Sequence, residues 1–444
     1  MKMGKLRLVW ILLLSGWLFS CSEEDELREP QQETIFLAGQ VHPLQDTDDL
    51  DPILAEIGNS QYVLIGEASH GTSEFYTWRA NLTKRLIQEN GFTVVTVEGD
   101  WPAAYILNQY VQGQRNGTAQ QALQAFQRWP TWMWANQEVA TFSEWLRQHN
   151  QSLPAAQKTG FYGMDVYSLW ESLAEVRAYL ETEAPAIAHL AREAQNCLAP
   201  FNQDEQQYAQ ATARGTSCVP PLQALLEAVQ AHRASQPAND EAAFNAEQNA
   251  LVAVNGERYY YQMIRSDVTS WNVRDRHMQE TVNRLVAHRG NSTKVVVWAH
   301  NTHVGDARHT DMAGAGMVNI GQLLREQHAG AGVYLVGFGT YQGQVIASTQ
   351  WGGAVRAMSV PPARVNSWED LLHRFSAQDK LLLLRELQSS PEAMQSRGHR
   401  AIGVTYNPAA EGGNYVPTVL PRRYDAFLYI DQTKALTPLS GSGL

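Results

Sequence analysis

The stretch QYVLIGEASHGTSEF (61–75) decides how this chain reads. "QYVLI" is a short apolar run closed by glycine, the mark of a buried strand. Glu67 and His70 therefore leave a sheet at its end, held between Gly66 and Gly71. From Ser73 to Asn90 the pattern turns helical, and Gly91 stands where a helix C-cap belongs. The strand–turn–helix order is one step of an α/β fold. The turn itself admits two readings: ordinary turn chemistry, or half of an active site.

Working outward, strands are expected at 92–98, 160–166, 294–300, 333–339, 344–349, 401–406 and 426–431, with helical stretches between them. "GFGTYQG" (337–343) reads as a hairpin between two of these, since a strand and not a helix follows it; that argues against a phosphate loop and dinucleotide binding. From Ser168 to about Ala287 the chain is almost wholly helical, broken near Pro200, Gly215 and Pro220–Pro221. The expected fold is α/β, with a mixed, largely parallel central sheet, flanking helices and a large helical insertion over a cleft. The α/β core takes residues 46–167 and 290–440, and the insertion or lid takes 168–289.

The ends of the apolar runs carry the chemistry. "VLIG" ends in Glu67, "TVVTV" in Glu98, "FYGM" in Asp165 and "VVVWA" in His300, with His303 close behind. Open α/β sheets bind ligands beyond the carboxyl ends of their strands, so four such residues point to one shared site. Singly, each is explained equally well as a capping or hydrogen-bonding residue. A histidine moves protons near neutral pH and a carboxylate beside it raises its basicity, so Glu67, His70, Glu98 and His300 suffice to activate a water and protonate an alkoxide. His70, His300 and His303 could instead hold a metal, although no H-E-x-x-H is present. A serine nucleophile is set aside, because Ser69 lacks the G-x-S-x-G frame.

The N-terminus reads as an export signal: Lys2, Lys5 and Arg7, an apolar run from Leu8 to Phe19, then Ser20 and Cys21. Residues 1–20 are expected to be a lipoprotein signal peptide and Cys21 the lipidated residue, although Phe19 stands where a small residue is usual. An uncleaved N-terminal anchor is the other reading. Acidic, proline-bearing residues 21–45 follow as a flexible tether. The expected address is the cell envelope, lipid-anchored in the outer membrane, facing the periplasm or the outside. Cys197 and Cys218 remain as an even pair in an oxidising compartment and are expected to form a disulfide. Loss of Lys2, Lys5 and Arg7 takes the net charge from −11 to −14. No basic stripe offsets it, which argues against nucleic acid as a partner.

The segments GEASHGTSEF, GFTVVTVEGDW, YGMDVYSLW, NVRDRHM, VVVWAHNTHVGDA, VGFGTYQG and RRYDAFLYID together resemble the erythromycin esterase family, in order and spacing, from about residue 50 to 438. The resemblance implies a mixed α/β fold with a deep cleft. It implies hydrolysis of a carboxylic ester or macrolide lactone by an activated water, without cofactor, metal or covalent intermediate. It implies His70 as general base with Glu67 and Glu98 as carboxylate partners, and His300 assisting, with His303 next to it. Arg274 and Arg276 would face the developing oxyanion, or else form helix-surface salt bridges; Asp165 would be structural. Trp129, Trp132 and Trp134 would line the substrate, or else pack in the core. Antibiotic resistance would follow from macrolide hydrolysis, yet an envelope address suits a glycan-linked or other environmental ester equally well. Two other readings stay open: a metal-dependent hydrolase, and a lipoprotein binding module without turnover.

Overall fold

The computed structural model describes residues 32–328 and 332–439. The signal peptide, Cys21 and the first part of the tether lie outside the described residues. Among the described residues, no helix is long and apolar enough to cross a membrane.

The strands are β1 (Val41–Pro43), β2 (Tyr62–Ile65), β3 (Val94–Asp100), β4 (Gly160–Asp165), β5 (Val295–Trp298), β6 (Val333–Ala347), β7 (Arg356–Val360), β8 (Lys380–Leu383), β9 (Arg397–Arg400), β10 (Tyr415–Thr418) and β11 (Ala426–Thr433). Nine of them form one sheet in the order β1-β8-β11-β6-β2-β5-β3-β4, with β7 also on β6; β9 and β10 pair separately. The run β11-β6-β2-β5-β3-β4 is parallel throughout. β8, β1 and β7 join antiparallel. The fold is mixed α/β, as the alternation of strands and helices predicts. Strands buried on both faces need continuous apolar runs, and VLI and VVVW are fully buried here.

Three expectations change. The tether ends earlier than 45: Gln32–Leu37 forms a 3-10 helix and Val41–Pro43 pairs with β8. The physical reason is burial of Leu37 and Leu44, apolar residues within an otherwise polar stretch. The expected hairpin at 337–343 is one unbroken strand, because β11 runs alongside it through Gly343 before β7 takes over the pairing. Residues 401–406 make only isolated bridges, Ile402 to Ser69 and Thr405 to Ser348.

The block after Ser168 folds into six α-helices, from Leu169–Glu183 to Asp267–Arg289; the first five share a core of their own that includes Leu173, Val176, Tyr208 and Leu225, while Met278, Val282 and Leu285 of the last belong to the core under the sheet. Cys197 and Cys218 are disulfide-bonded within it. Its last helix packs on β4 and the segment Ile320–Gln327, and through Arg274 it forms part of the wall of the candidate-site cavity.

Candidate active site

Strand order gathers the ionisable residues. β2, β5, β3 and β4 are consecutive in the sheet, so Glu67 and His70, His300, Glu98 and Asp165 emerge side by side from one edge. The two glycines of the first turn are there for close approach. A Cβ on Gly66 would collide with Asn301 Oδ1, and one on Gly71 would collide with the backbone of Ile346. Larger residues at either place would push the turn off the sheet.

His70 is 7% exposed and its Nδ1 lies 2.9 Å from Glu67 Oε1. A carboxylate only accepts, so Nδ1 carries the proton and Nε2 is left with its lone pair. Burial works against a positive charge on this ring, but the hydrogen bond to Glu67 and the charges of Glu98 and Glu67 outweigh it, raising its pKa. The other Glu67 oxygen is 2.9 Å from Arg79, a guanidinium with no exposure, stacked 4.1 Å over the Tyr76 ring.

His300 is set in the opposite sense. It caps the short helix Asn301–Val304, its Nδ1 accepting from the Thr302 backbone N–H at 3.3 Å and lying 2.8 Å from Thr302 Oγ1. The proton is therefore on Nε2. Burial and the neighbouring His70 hold its pKa well below the usual histidine value, so the ring is neutral. The two imidazole centroids are 4.8 Å apart. His300 Nε2 is buried and makes no well-formed hydrogen bond among the described residues, although the backbone of Ala68 lies against the ring.

Glu98 does not hydrogen-bond to His70. Arg274 donates to its Oε1 at 2.6 Å and the His300 backbone N–H to its Oε2 at 2.8 Å. Burial pushes its pKa up, but His303, Arg274 and His70 outweigh this and hold it far below the usual carboxylate range. Glu98 is thus a fixed negative charge beside His70. Arg274 also grips Asp165 with two bonds of 2.9 and 2.6 Å. Its Nη1 lies 2.9 Å from His303 Nε2, which must accept, since a guanidinium has only protons to offer. His303 Nδ1 faces Asp275 at 2.9 Å, and Trp271 stacks on the ring at 4.4 Å. Both nitrogens of His303 are engaged, so it is a support within this network. The ligand trio His70, His300 and His303 does not converge, and no cluster suited to a metal exists among the described residues.

The cavity at this edge holds about 130 Å³. His70, Glu98, Asp165 and Arg274 form one side; Phe126, Trp129, Met133, Trp134 and Trp351 form another. Of the three predicted tryptophans, Trp129 and Trp134 line it, whereas Trp132 is 1% exposed and packs in the core. Trp134 is pinned by a 3.0 Å bond from its Nε1 to the Glu98 carbonyl. Arg276 is not in the site. It lies on the exposed face of its helix, two residues and about 200° around from Arg274. Arg276→Ala is expected to change stability by no more than ~0.5 kcal/mol in urea denaturation; a loss several times larger would reveal a contact on that face.

Several participants escaped the sequence reading. Asp275 sits between the two arginines that were singled out. Trp351, 56% exposed, packs edge-on against Trp129 at 4.7 Å. Arg128 ties Asp100 on the cavity wall to Glu171 and Glu205 of the helical block. Burial pushes Asp100 up to about 6, despite Arg128. Arg79 did leave a signal, standing in the buried stripe Phe75, Tyr76, Leu82 and Leu86.

The erythromycin esterase family model matches residues 87–433. This chain belongs to that family. The match takes in Glu98, Arg274 and His300 and begins after Glu67 and His70. An erythromycin esterase type II of Escherichia coli is 31% identical over 125 residues, spanning 28% of this chain and 28% of that protein. Among solved structures, a succinoglycan biosynthesis protein superposes with a TM-score of 0.76 at 22% identity, covering 92% of this chain and 99% of its own. A mutant of the erythromycin esterase EreC in its open conformation gives 0.66 at 16% identity, covering 90% and 96%. These likenesses carry the fold. Family membership supports an enzyme of the hydrolase class.

Proposed function

We propose that this chain hydrolyses a carboxylic ester, a macrolide lactone among the candidates, with a water activated by His70. One observation carries the reading: two facing imidazoles locked in complementary tautomers, His70 with a free Nε2 lone pair and His300 with an Nε2–H. His70 takes a proton from water, and Glu67 and Glu98 stabilise the imidazolium that forms. Four of the five N–H groups of Arg274 are committed to Asp165, Glu98 and His303. The fifth, on Nη1 of a residue that lines the cavity, is left for the oxyanion. The departing alkoxide takes its proton from the His70 imidazolium, which returns to the neutral base, while the neutral His300 steadies the reacting oxygen with a hydrogen bond from its Nε2–H. No step uses a protein nucleophile.

The cavity is smaller than the ~300–1,000 Å³ of sites that enclose a drug-sized ligand. The reacting ester enters it, while the rest of a large substrate stays outside against Trp351 and Trp129. The basic, apolar leader ending at Cys21 supports action in the cell envelope on a lipid anchor.

The test is incubation of the purified chain with 14- and 16-membered macrolides and simple acyl esters, followed by mass spectrometry, with and without chelator. A gain of one water that survives chelator supports the reading. Loss of turnover with chelator favours the metal-dependent alternative, and no gain on any ester sinks the proposal. The active form of His70 is unprotonated and its pKa is raised, so kcat/KM is expected to climb with pH through a midpoint above ~6.5, the ordinary histidine value. A midpoint below that value would contradict the role given to Glu67.

A further inference from the structure

Behind the catalytic edge lies a second buried acid–imidazole pair that the proposed chemistry does not use. Glu369, from the helix Trp368–Phe375, and His399, from β9, have no exposure. His399 Nδ1 is 2.6 Å from Glu369 Oε1, which also accepts the Arg400 backbone N–H at 2.9 Å. The His399 Nε2 lone pair receives Asn301 Nδ2 at 3.1 Å. Burial, partly offset by Glu369, lowers the His399 pKa, consistent with this neutral tautomer.

Asn301 is also fully buried, and it is the residue after His300. Its side-chain amide continues the sheet beyond the end of β2, donating to the Phe338 carbonyl at 2.7 Å and accepting the Phe338 N–H at 3.2 Å. Its backbone N–H donates to the Glu67 carbonyl at 2.9 Å. One asparagine therefore joins the ends of β2 and β5 to the middle of β6, at the point where Glu67 and His300 leave the sheet. His399 and Phe338 together set which way the amide faces, because a flipped amide would put oxygen against the Nε2 lone pair and against the Phe338 carbonyl. Keeping a carboxylate dry is costly, and an apolar trio would pack here without that cost.

We propose that Glu369, His399 and Asn301 form a positioning relay that holds His300 and the Glu67 turn in register for reaction. The inference rests on the hydrolytic reading for its rate effect but not for its geometry. A displacement of about 1 Å at reacting groups costs up to about 100-fold in rate.

The experiment uses protein labelled with ¹⁵N at histidine, with p-nitrophenyl acetate as the ester. Glu369→Ala is expected to lower kcat about 10–100-fold with KM unchanged. It should also replace the single His300 tautomer by a mixture in the ring-nitrogen spectrum. Glu369→Gln, whose amide oxygen can still accept the His399 Nδ1–H, should restore both. His399→Phe fills the same space without an acceptor for Asn301, and should reproduce both losses even if Glu369→Ala does not fold. The relay is overturned if the disrupting variants keep wild-type kcat and His300 signals, or if Glu369→Gln is as impaired as Glu369→Ala. Failure of the wild type itself to cleave the ester would count against the hydrolytic reading; the nitrogen spectra would still decide the relay.

Discussion

His70→Ala should lower kcat/KM on any ester the protein hydrolyses by about 10²–10⁴-fold, the usual worth of a positioned general base. The side chain makes one hydrogen bond, to Glu67, which keeps Arg79 as a partner when the ring is gone. The fold should therefore survive, and circular dichroism and thermal melting should stay near the wild type while turnover collapses. No neighbour can substitute. Glu98 is clamped by Arg274 and the His300 backbone, and its lowered pKa makes it a poor base. His300 has its Nδ1 engaged and its Nε2 protonated. A variant retaining activity within about tenfold would remove His70 from the base role.

Glu67→Ala should cost about 3–5 kcal/mol of folding stability, read by urea denaturation, in addition to its effect on rate. The cause is Arg79. Its guanidinium is fully buried among Tyr76, Trp134 and Trp298, with the Glu67 carboxylate 2.9 Å away. Removing the carboxylate strands a cation in an apolar setting, which water cannot reach to compensate. Removing both charges together, as Glu67→Ala with Arg79→Met, should recover most of the stability and none of the activity. That contrast separates the two duties of Glu67: partner to a buried arginine, and orienter of His70. A loss under about 1 kcal/mol in the single variant would show that solvent reaches Arg79 after all.

Much of the candidate site was legible in the sequence because strand ends announce themselves. An apolar run that must stay buried, followed by an ionisable residue, places that residue at a sheet edge, and Glu67, Glu98, Asp165 and His300 were all found so. The helical block and the parallel character of the sheet followed from periodicity and alternation in the same way. Arg276 and Trp132 were drawn in by proximity to residues that do line the cavity, Arg274, Trp129 and Trp134. Neighbours in sequence point about 100° apart on a helix, and a run of tryptophans does not reveal which ring faces a cavity and which the core. β8 escaped because its four residues, KLLL, are short and bordered by charge; β1 because its three residues, VHP, have no period to read.

By itself, then, the sequence determined which residues stand at strand ends, and with them the residue types available for chemistry, because solvation fixes where apolar runs can go. Only the tertiary structure decided which of those residues meet. Strand order put β5 between β2 and β3, and so set His300 against His70. It also chose the tautomers: Glu67 leaves His70 with a lone pair on Nε2, the Thr302 turn leaves His300 with an Nε2–H, and Arg274 with Asp275 takes both nitrogens of His303. An imidazole's role depends on what lies within 3 Å of each nitrogen. Those partners come from segments 2 to 29 residues away along the chain, a distance that spacing alone does not encode.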